Sequence, residues 1–166
     1  MDSIRELLQT IADNMSSAEA KAFLEAIQSL KDSVDYAALL EALEAQDIEA
    51  AVGAMNIEPA AFSGVRVVYS EAYYKAGSLV AQHFPAPPES GVAIRFDLSN
   101  PRAEDQLRSY GAQKMVDLSE EQKSVIREAL VQAYTRGEGP DNMIVGLVGR
   151  LNRQTGKRSG GVLGLT

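Results

Sequence analysis

The chain has 166 residues, enough for one compact body with an appendage, and it contains neither Cys nor Trp. The lack of cysteine excludes disulfides, cysteine nucleophiles and thiolate metal sites, and the single histidine excludes metal sites built from several imidazoles. The net charge of −7 is concentrated in residues 1–60, where 12 acidic and 3 basic side chains disfavour contact with nucleic acid.

Residues 1–60 are predicted to form four short amphipathic helices, because apolar side chains recur there with helical spacing. The apolar stripes run over Ile4–Ile11, Phe23–Leu30, Tyr36–Leu43 and Ile48–Met55. Ser16 and Ser17 suit the N-cap of the second helix, and Asn56 suits the end of the fourth. Short connections between helices of this length predict a small bundle.

The longest predicted helix runs from Pro59 to Phe84, with the proline in its first turn. Its apolar stripe includes Tyr69 and Tyr73, and Tyr74 stands beside them. Tyrosines at helical spacing are typical of a bundle core, and these three are also a candidate protein interface.

A Pro-rich stretch follows, and residues 85–98 are predicted to form a hinge with a short extended segment. Beyond it we expect one helix over about Asn100–Met115 and another that begins at Ser119. The spacing of Ser119 and Gln122 matches a capping box. A last helix, capped by Asp141, is predicted to include Leu151.

The sequence as a whole predicts a mainly α protein. It divides into an acidic N-terminal helical bundle with a long helix (1–84), a Pro-rich hinge (85–98), a C-terminal helical segment (99–151) and a Gly-rich basic loop (152–166). Basic residues are most concentrated where the last two segments meet, at Arg150, Arg153, Lys157 and Arg158. This cluster is either a solvated turn or a contact for DNA phosphates or an acidic partner.

The inventory of catalytic groups is poor. His83 stands beside Phe84 near a predicted helix end, where a structural role is expected. Two carboxylate pairs, Glu104–Asp105 and Glu120–Glu121, fall in predicted first helical turns, where the helix dipole favours negative charge. We therefore expect no catalytic residue, no cofactor and no metal site.

No apolar run reaches the ~20 residues that a membrane-spanning helix needs. The first ten residues, MDSIRELLQT, carry charges where a signal peptide requires an apolar stretch. A soluble protein made in the cytoplasm, with no membrane segment, is expected.

Three stretches of the C-terminal part carry a resemblance to a known family. They are Phe96–Glu104 (FDLSNPRAE), Thr135–Pro140 (TRGEGP) and Val148–Thr166 (VGRLNRQTGKRSGGVLGLT). The third is the most specific, since it is an ordered run of Gly, Arg, Asn and Thr at fixed offsets. Over about residues 92–166 the chain resembles the minor head, or head-morphogenesis, proteins of tailed bacteriophages.

This resemblance implies a low-copy structural protein inside the capsid, bound near the portal and needed for head assembly. Some members are delivered with the DNA, and no catalytic residue is implied. The expected partners are the portal protein, other phage capsid proteins, phage DNA through the basic loop, and further copies of this chain. The expected location is the virion, after synthesis in the host cytoplasm. Family members continue past the Gly-Leu-Thr phrase, so a fragment, a processed form or a shorter relative is expected.

Two rival functions remain open at the level of sequence. One is an acidic helical adaptor or inhibitor that binds a host protein. The other is a carboxylate-dependent metal enzyme such as a nuclease. Metal-dependent thermal stabilisation that is lost on replacing a carboxylate pair would favour the enzyme.

Overall fold

The computed structural model of the chain describes residues 3–83 and 100–164. The described residues form α1 (Ile4–Ser33), α2 (Tyr36–Glu44), α3 (Ile48–Ala54), a 3-10 turn (Pro59–Phe62), α4 (Ser63–His83), α5 (Pro101–Thr135), α6 (Pro140–Val148), β1 (Arg150–Leu151) and β2 (Arg158–Ser159). The predicted mainly α fold is confirmed, since 79% of the described residues are helical. The predicted hinge at 85–98 lies outside the described residues.

The first two predicted helices are one continuous helix, α1. Its N-terminus is a capping box: the Ser3 hydroxyl accepts from the Glu6 N–H at 3.3 Å, and a Glu6 carboxylate oxygen accepts from the Ser3 N–H at 2.8 Å. Ser16 does not cap a second helix, because its hydroxyl donates to the Ala12 carbonyl at 3.1 Å within α1. The prediction of a break near Ser16 was wrong.

Helices α2 and α3 confirm the third and fourth predicted helices. Asp35 and Asp47 cap them, each accepting a backbone N–H three residues on at 2.9–3.0 Å. Asn56 follows α3 with φ of 53°, a left-handed conformation that asparagine tolerates better than most residues. The two helices form a hairpin.

The long helix predicted from Pro59 is shorter than expected, since Pro59–Phe62 forms the 3-10 turn and α4 begins only at Ser63. The longest described helix is α5, with 35 residues. It merges the two helices predicted over about residues 100–137. Ser119 lies fully buried inside α5 and donates its hydroxyl to the Ile57 carbonyl at 2.8 Å, so it makes a tertiary contact instead of a cap.

The last helix, α6, ends at Val148, and Leu151 lies in β1. Its N-cap is Gly139, and Asp141 lies in the first turn without capping it. The stretch predicted as a loop over 152–166 includes one strand, because Arg158–Ser159 pairs with Arg150–Leu151 in a β-hairpin, with Arg150 opposite Ser159 and Leu151 opposite Arg158. The rest of its described part, residues 152–157 and 160–164, has no helix or strand.

One hydrophobic core joins the parts of the chain on both sides of the Pro-rich stretch. Its fully buried side chains come from the last turns of α1, from α2, α3 and the 3-10 turn, and from α5 and α6. They include Leu30, Leu39, Met55, Phe62, Ile126, Leu130, Leu147 and Val148. Leu163, beyond the hairpin, completes the core with 3% of its side chain exposed.

Away from this core the helices continue as a thinner layer, which we call the arm: residues 4–22 of α1, 66–83 of α4 and 101–117 of α5. In α1 the buried side chains begin at Ala26, and in α4 only Val65 is buried. The apolar residues of the arm, such as Leu8, Ile11 and Leu79, are half-buried. The arm is therefore less tightly covered than the core.

Candidate partner-binding hairpin

The sequence between β1 and β2 folds locally into a closed turn. The Asn152 N–H donates to the Lys157 carbonyl, and the Gly156 N–H donates to the Asn152 carbonyl, both at 2.8 Å. The Asn152 side-chain oxygen accepts the N–H groups of Gln154 at 2.9 Å and Thr155 at 3.3 Å. Gly156 supplies the left-handed φ of 69°. Asparagine at the start and glycine near the end thus determine the shape of the turn.

The hairpin brings the four predicted basic residues together, but it uses them differently. Arg150, Arg153 and Lys157 are exposed, and within residues 3–83 and 100–164 none of the three forms an ion pair. Arg158 is half-buried, donates to the Gly149 carbonyl at 3.0 Å and stacks 4.4 Å above the Tyr36 ring. Arg158 anchors the hairpin, and the other three cations are available to a partner.

The segment after β2 ties the hairpin to three helices. The N–H groups of Val162 and Leu163 donate to carbonyls at the end of α6 at 2.9 and 3.0 Å. The Gly164 N–H donates to the side-chain oxygen of Gln122 on α5 at 2.7 Å. From α1, the Lys31 ammonium donates to the Gly160 carbonyl at 2.9 Å. The base of the hairpin is consequently held in place from several sides.

Lys31 and Gln122 are functional neighbours of the hairpin that sequence reasoning missed. Lys31 is 7% exposed and Gln122 is fully buried. Burial lowers the pKa of the Lys31 ammonium below its usual range. A signal existed for Gln122, which lies four residues from both Leu118 and Ile126 on the buried stripe of α5. A polar residue on such a stripe needs a buried partner.

Two glycines allow the backbone at the hairpin base to pass closely over α6. A Cβ at position 149 would lie 2.1 Å from the Ser159 carbonyl oxygen, and one at position 161 would lie 2.6 Å from the Leu147 carbonyl oxygen. Both glycines also have positive φ, of 84° and 82°. The Gly-rich composition that suggested a loop therefore serves tight packing.

The predicted tyrosine cluster is divided between the inside and the surface of the arm. The Tyr69 hydroxyl donates to Glu19 on α1 at 2.9 Å, and its ring meets the Tyr110 ring edge-on at a centroid distance of 5.3 Å. Tyr69 thus joins the three helices of the arm. Tyr73 and Tyr74 are 39% and 48% exposed and lie on the outer surface of α4.

With Tyr69 replaced by phenylalanine, the free energy of unfolding is expected to fall less steeply as the pH rises above 10 than it does in the wild type. Burial and then the Glu19 carboxylate raise the pKa of Tyr69 above its ordinary value of 10. Between these two pKa values the folded protein keeps the phenol proton and the unfolded chain loses it, so the free energy of unfolding falls as pH rises above 10. The phenol is partly solvated, so the difference in slope should be below about 1 kcal/mol per pH unit.

Urea unfolding of the wild type and Tyr69→Phe from pH 8 to pH 11 measures this difference. Burial also raises the pKa values of Tyr36 and Tyr134. Both tyrosines are present in the two proteins, so their contributions cancel in the comparison. A difference between the proteins that stays constant with pH would contradict the assignment.

The other candidate chemical groups are not assembled into a site. His83, the last residue of α4, is exposed, with Nδ1 2.9 Å from the Leu79 carbonyl oxygen. Glu120 and Glu121 lie inside α5 and not in a first turn, which corrects their dipole explanation. In the part of the chain that the structure describes, no three acidic or histidine side chains are placed to hold a metal ion. None of the described helices is long and apolar enough to cross a membrane.

No family model, curated protein or solved structure matches this chain.

Proposed function

We propose that the chain is a structural component of a tailed-phage head, a low-copy protein inside the capsid that binds near the portal and acts in head assembly. It works by binding, and no covalent bond is made or broken. The hairpin is the contact surface, with an acidic face of the portal as its expected partner and phage DNA as the other candidate. Delivery with the DNA belongs to the same proposal.

The observation that carries this proposal is the presentation of Arg150, Arg153 and Lys157 on a hairpin that is held to the core. A fixed hairpin loses little conformational entropy on binding, which favours recognition by its exposed cations. The residues that build this hairpin also belong to the stretch with the most specific resemblance to the minor head proteins.

The test is a triple variant, Arg150→Gln/Arg153→Gln/Lys157→Gln. Because it leaves Arg158 and the glycines in place, it should fold normally and bind the portal of the same phage at least roughly tenfold more weakly. The matched control, Lys21→Gln/Lys75→Gln/Arg102→Gln, removes three exposed cations from elsewhere and should bind like the wild type. Portal co-purification and titration with short duplex DNA identify which partner depends on the hairpin.

Two outcomes would overturn the proposal. One is equal binding of both partners by the hairpin variant and the wild type. The other is absence of the chain from purified virions by mass spectrometry.

A second candidate, an acidic adaptor that binds a basic host protein, is favoured by a groove between α2 and α3. The groove has a volume of about 540 Å³, and its floor is formed mainly by alanines of both helices. Asp35, Glu41 and Asp47 line it, and no basic residue does. Such a surface suits a basic helical segment. Binding to a host protein, together with no binding to portal or capsid proteins, would favour this candidate.

A further inference from the structure

Positive charge is also clustered on a second surface, whose residues are distant in sequence from the hairpin. It is a cavity of about 200 Å³ between α4 and α5 in the arm, lined by Arg66, Ser70, Glu104, Leu107 and Arg108. Two arginines from different helices therefore border one space that is large enough for a small anion.

The position of Arg66 depends on a glycine of the facing helix. Gly111 is buried, and a Cβ added there would lie 2.4 Å from Cγ and 3.0 Å from Cδ of Arg66. The aliphatic part of Arg66 thus lies directly against the backbone of α5. Arg108 lies three residues before Gly111, on the same side of α5, and both arginines line the cavity.

The two positive charges border a cavity that is open to solvent, since Arg66, Glu104 and Arg108 are all exposed. Within residues 3–83 and 100–164, neither Arg66 nor Arg108 forms an ion pair within 4.0 Å, although Glu104 lines the same cavity. A single carboxylate offsets at most one of the two positive charges. The two exposed guanidinium groups repel each other weakly across water, and an anion placed between them would attract both.

We propose that this cavity binds a tetrahedral oxyanion of the phosphate class. A guanidinium presents its N–H groups as a planar fork that matches two phosphate oxygens, and two such forks can hold one phosphate. The Ser70 hydroxyl now donates to the Arg66 carbonyl at 3.2 Å and can rotate to donate to a bound oxygen. The phosphate is either free or part of a nucleic-acid backbone.

Isothermal titration of the full chain with inorganic phosphate, at constant ionic strength set with sodium chloride, tests the proposal. Arg66→Gln and Arg108→Gln should each weaken phosphate binding roughly tenfold or more, because each removes charge-assisted hydrogen bonds. Arg102→Gln, which replaces an exposed arginine nearly two turns before Arg108 on α5, should bind phosphate like the wild type. Circular dichroism verifies that all three variants are folded.

Gly111→Ala provides a test that changes no charge. The new methyl group would displace the Arg66 side chain, so phosphate binding should weaken while alanine itself favours the helix. Competition with short duplex DNA identifies the source: displacement of phosphate indicates a backbone phosphate, and no displacement indicates the free ion. The hairpin triple variant should keep its phosphate affinity, which separates this site from the function proposed above.

The proposal is overturned if phosphate produces no more heat than chloride. It is also overturned if the double variant Arg66→Gln/Arg108→Gln binds phosphate as the wild type does.

Discussion

Replacing Gly149 with alanine is expected to lower the free energy of unfolding by about 3 kcal/mol or more. With φ of 84° and ψ of 178°, Gly149 occupies a backbone region that is almost restricted to glycine. The added methyl group would also lie 2.1 Å from the Ser159 oxygen and 2.6 Å from the Gly160 oxygen. Both are backbone atoms, so no side-chain rotation relieves the overlap. Urea denaturation followed by circular dichroism measures the loss.

Gly156→Ala is the matched control for this prediction. Gly156 also has positive φ, of 69°, but nothing lies within 4 Å of its added Cβ. Its replacement should cost only about 1–2 kcal/mol, the penalty of the left-handed conformation. Equal losses for the two variants would contradict the close backbone contact at the base of the hairpin.

Replacing Leu163 with alanine is expected to cost about 2–5 kcal/mol, the usual range for a buried leucine. Leu163 is 3% exposed and packs in the core, although it lies in a stretch with the composition of a loop. Leu151, in the same stretch, is 50% exposed, and its replacement should change stability by no more than about 0.5 kcal/mol. If chemical denaturation gives the same small change for both, the segment does not belong to the folded core.

The elements that could be predicted from the sequence are those determined by local interactions. Helices α2 and α3 each combine an aspartate that caps the start with apolar residues at helical spacing. Asn56 marks the end of α3 because asparagine accepts positive φ. These signals lie within a few residues of the structure that they determine, so the sequence is sufficient to locate it.

The predictions that were wrong involve side chains with more than one use. Ser16 has the residue type of an N-cap, but its hydroxyl bonds within α1. Ser119 matches a capping box, but its hydroxyl donates a hydrogen bond to the carbonyl of Ile57, 62 residues away in the chain. A serine hydroxyl can cap a helix, donate to a carbonyl of its own helix or donate to a distant acceptor, and the three hydrogen bonds have similar energies. Only the tertiary structure decides which of them forms.

The candidate site was predictable in composition and not in geometry. The four basic residues were recognised from their clustering, and the structure places them on one hairpin. The anchoring of Arg158 by Tyr36 joins residues more than 100 positions apart, and no local pattern indicates it. The cavity between Arg66 and Arg108 was missed for the same reason, because neither arginine stands out in its own part of the sequence.

Helix α5 runs for about 52 Å at 1.5 Å per residue and belongs to both the arm and the core. Its two ends differ in how much apolar surface they bury, and local opening needs less free energy where that burial is small. A partner that binds the outer end of α5 would therefore contact a part of the helix that buries little apolar surface, while one that binds the hairpin would contact the part next to the core. Both parts of the molecule are connected by this one continuous helix.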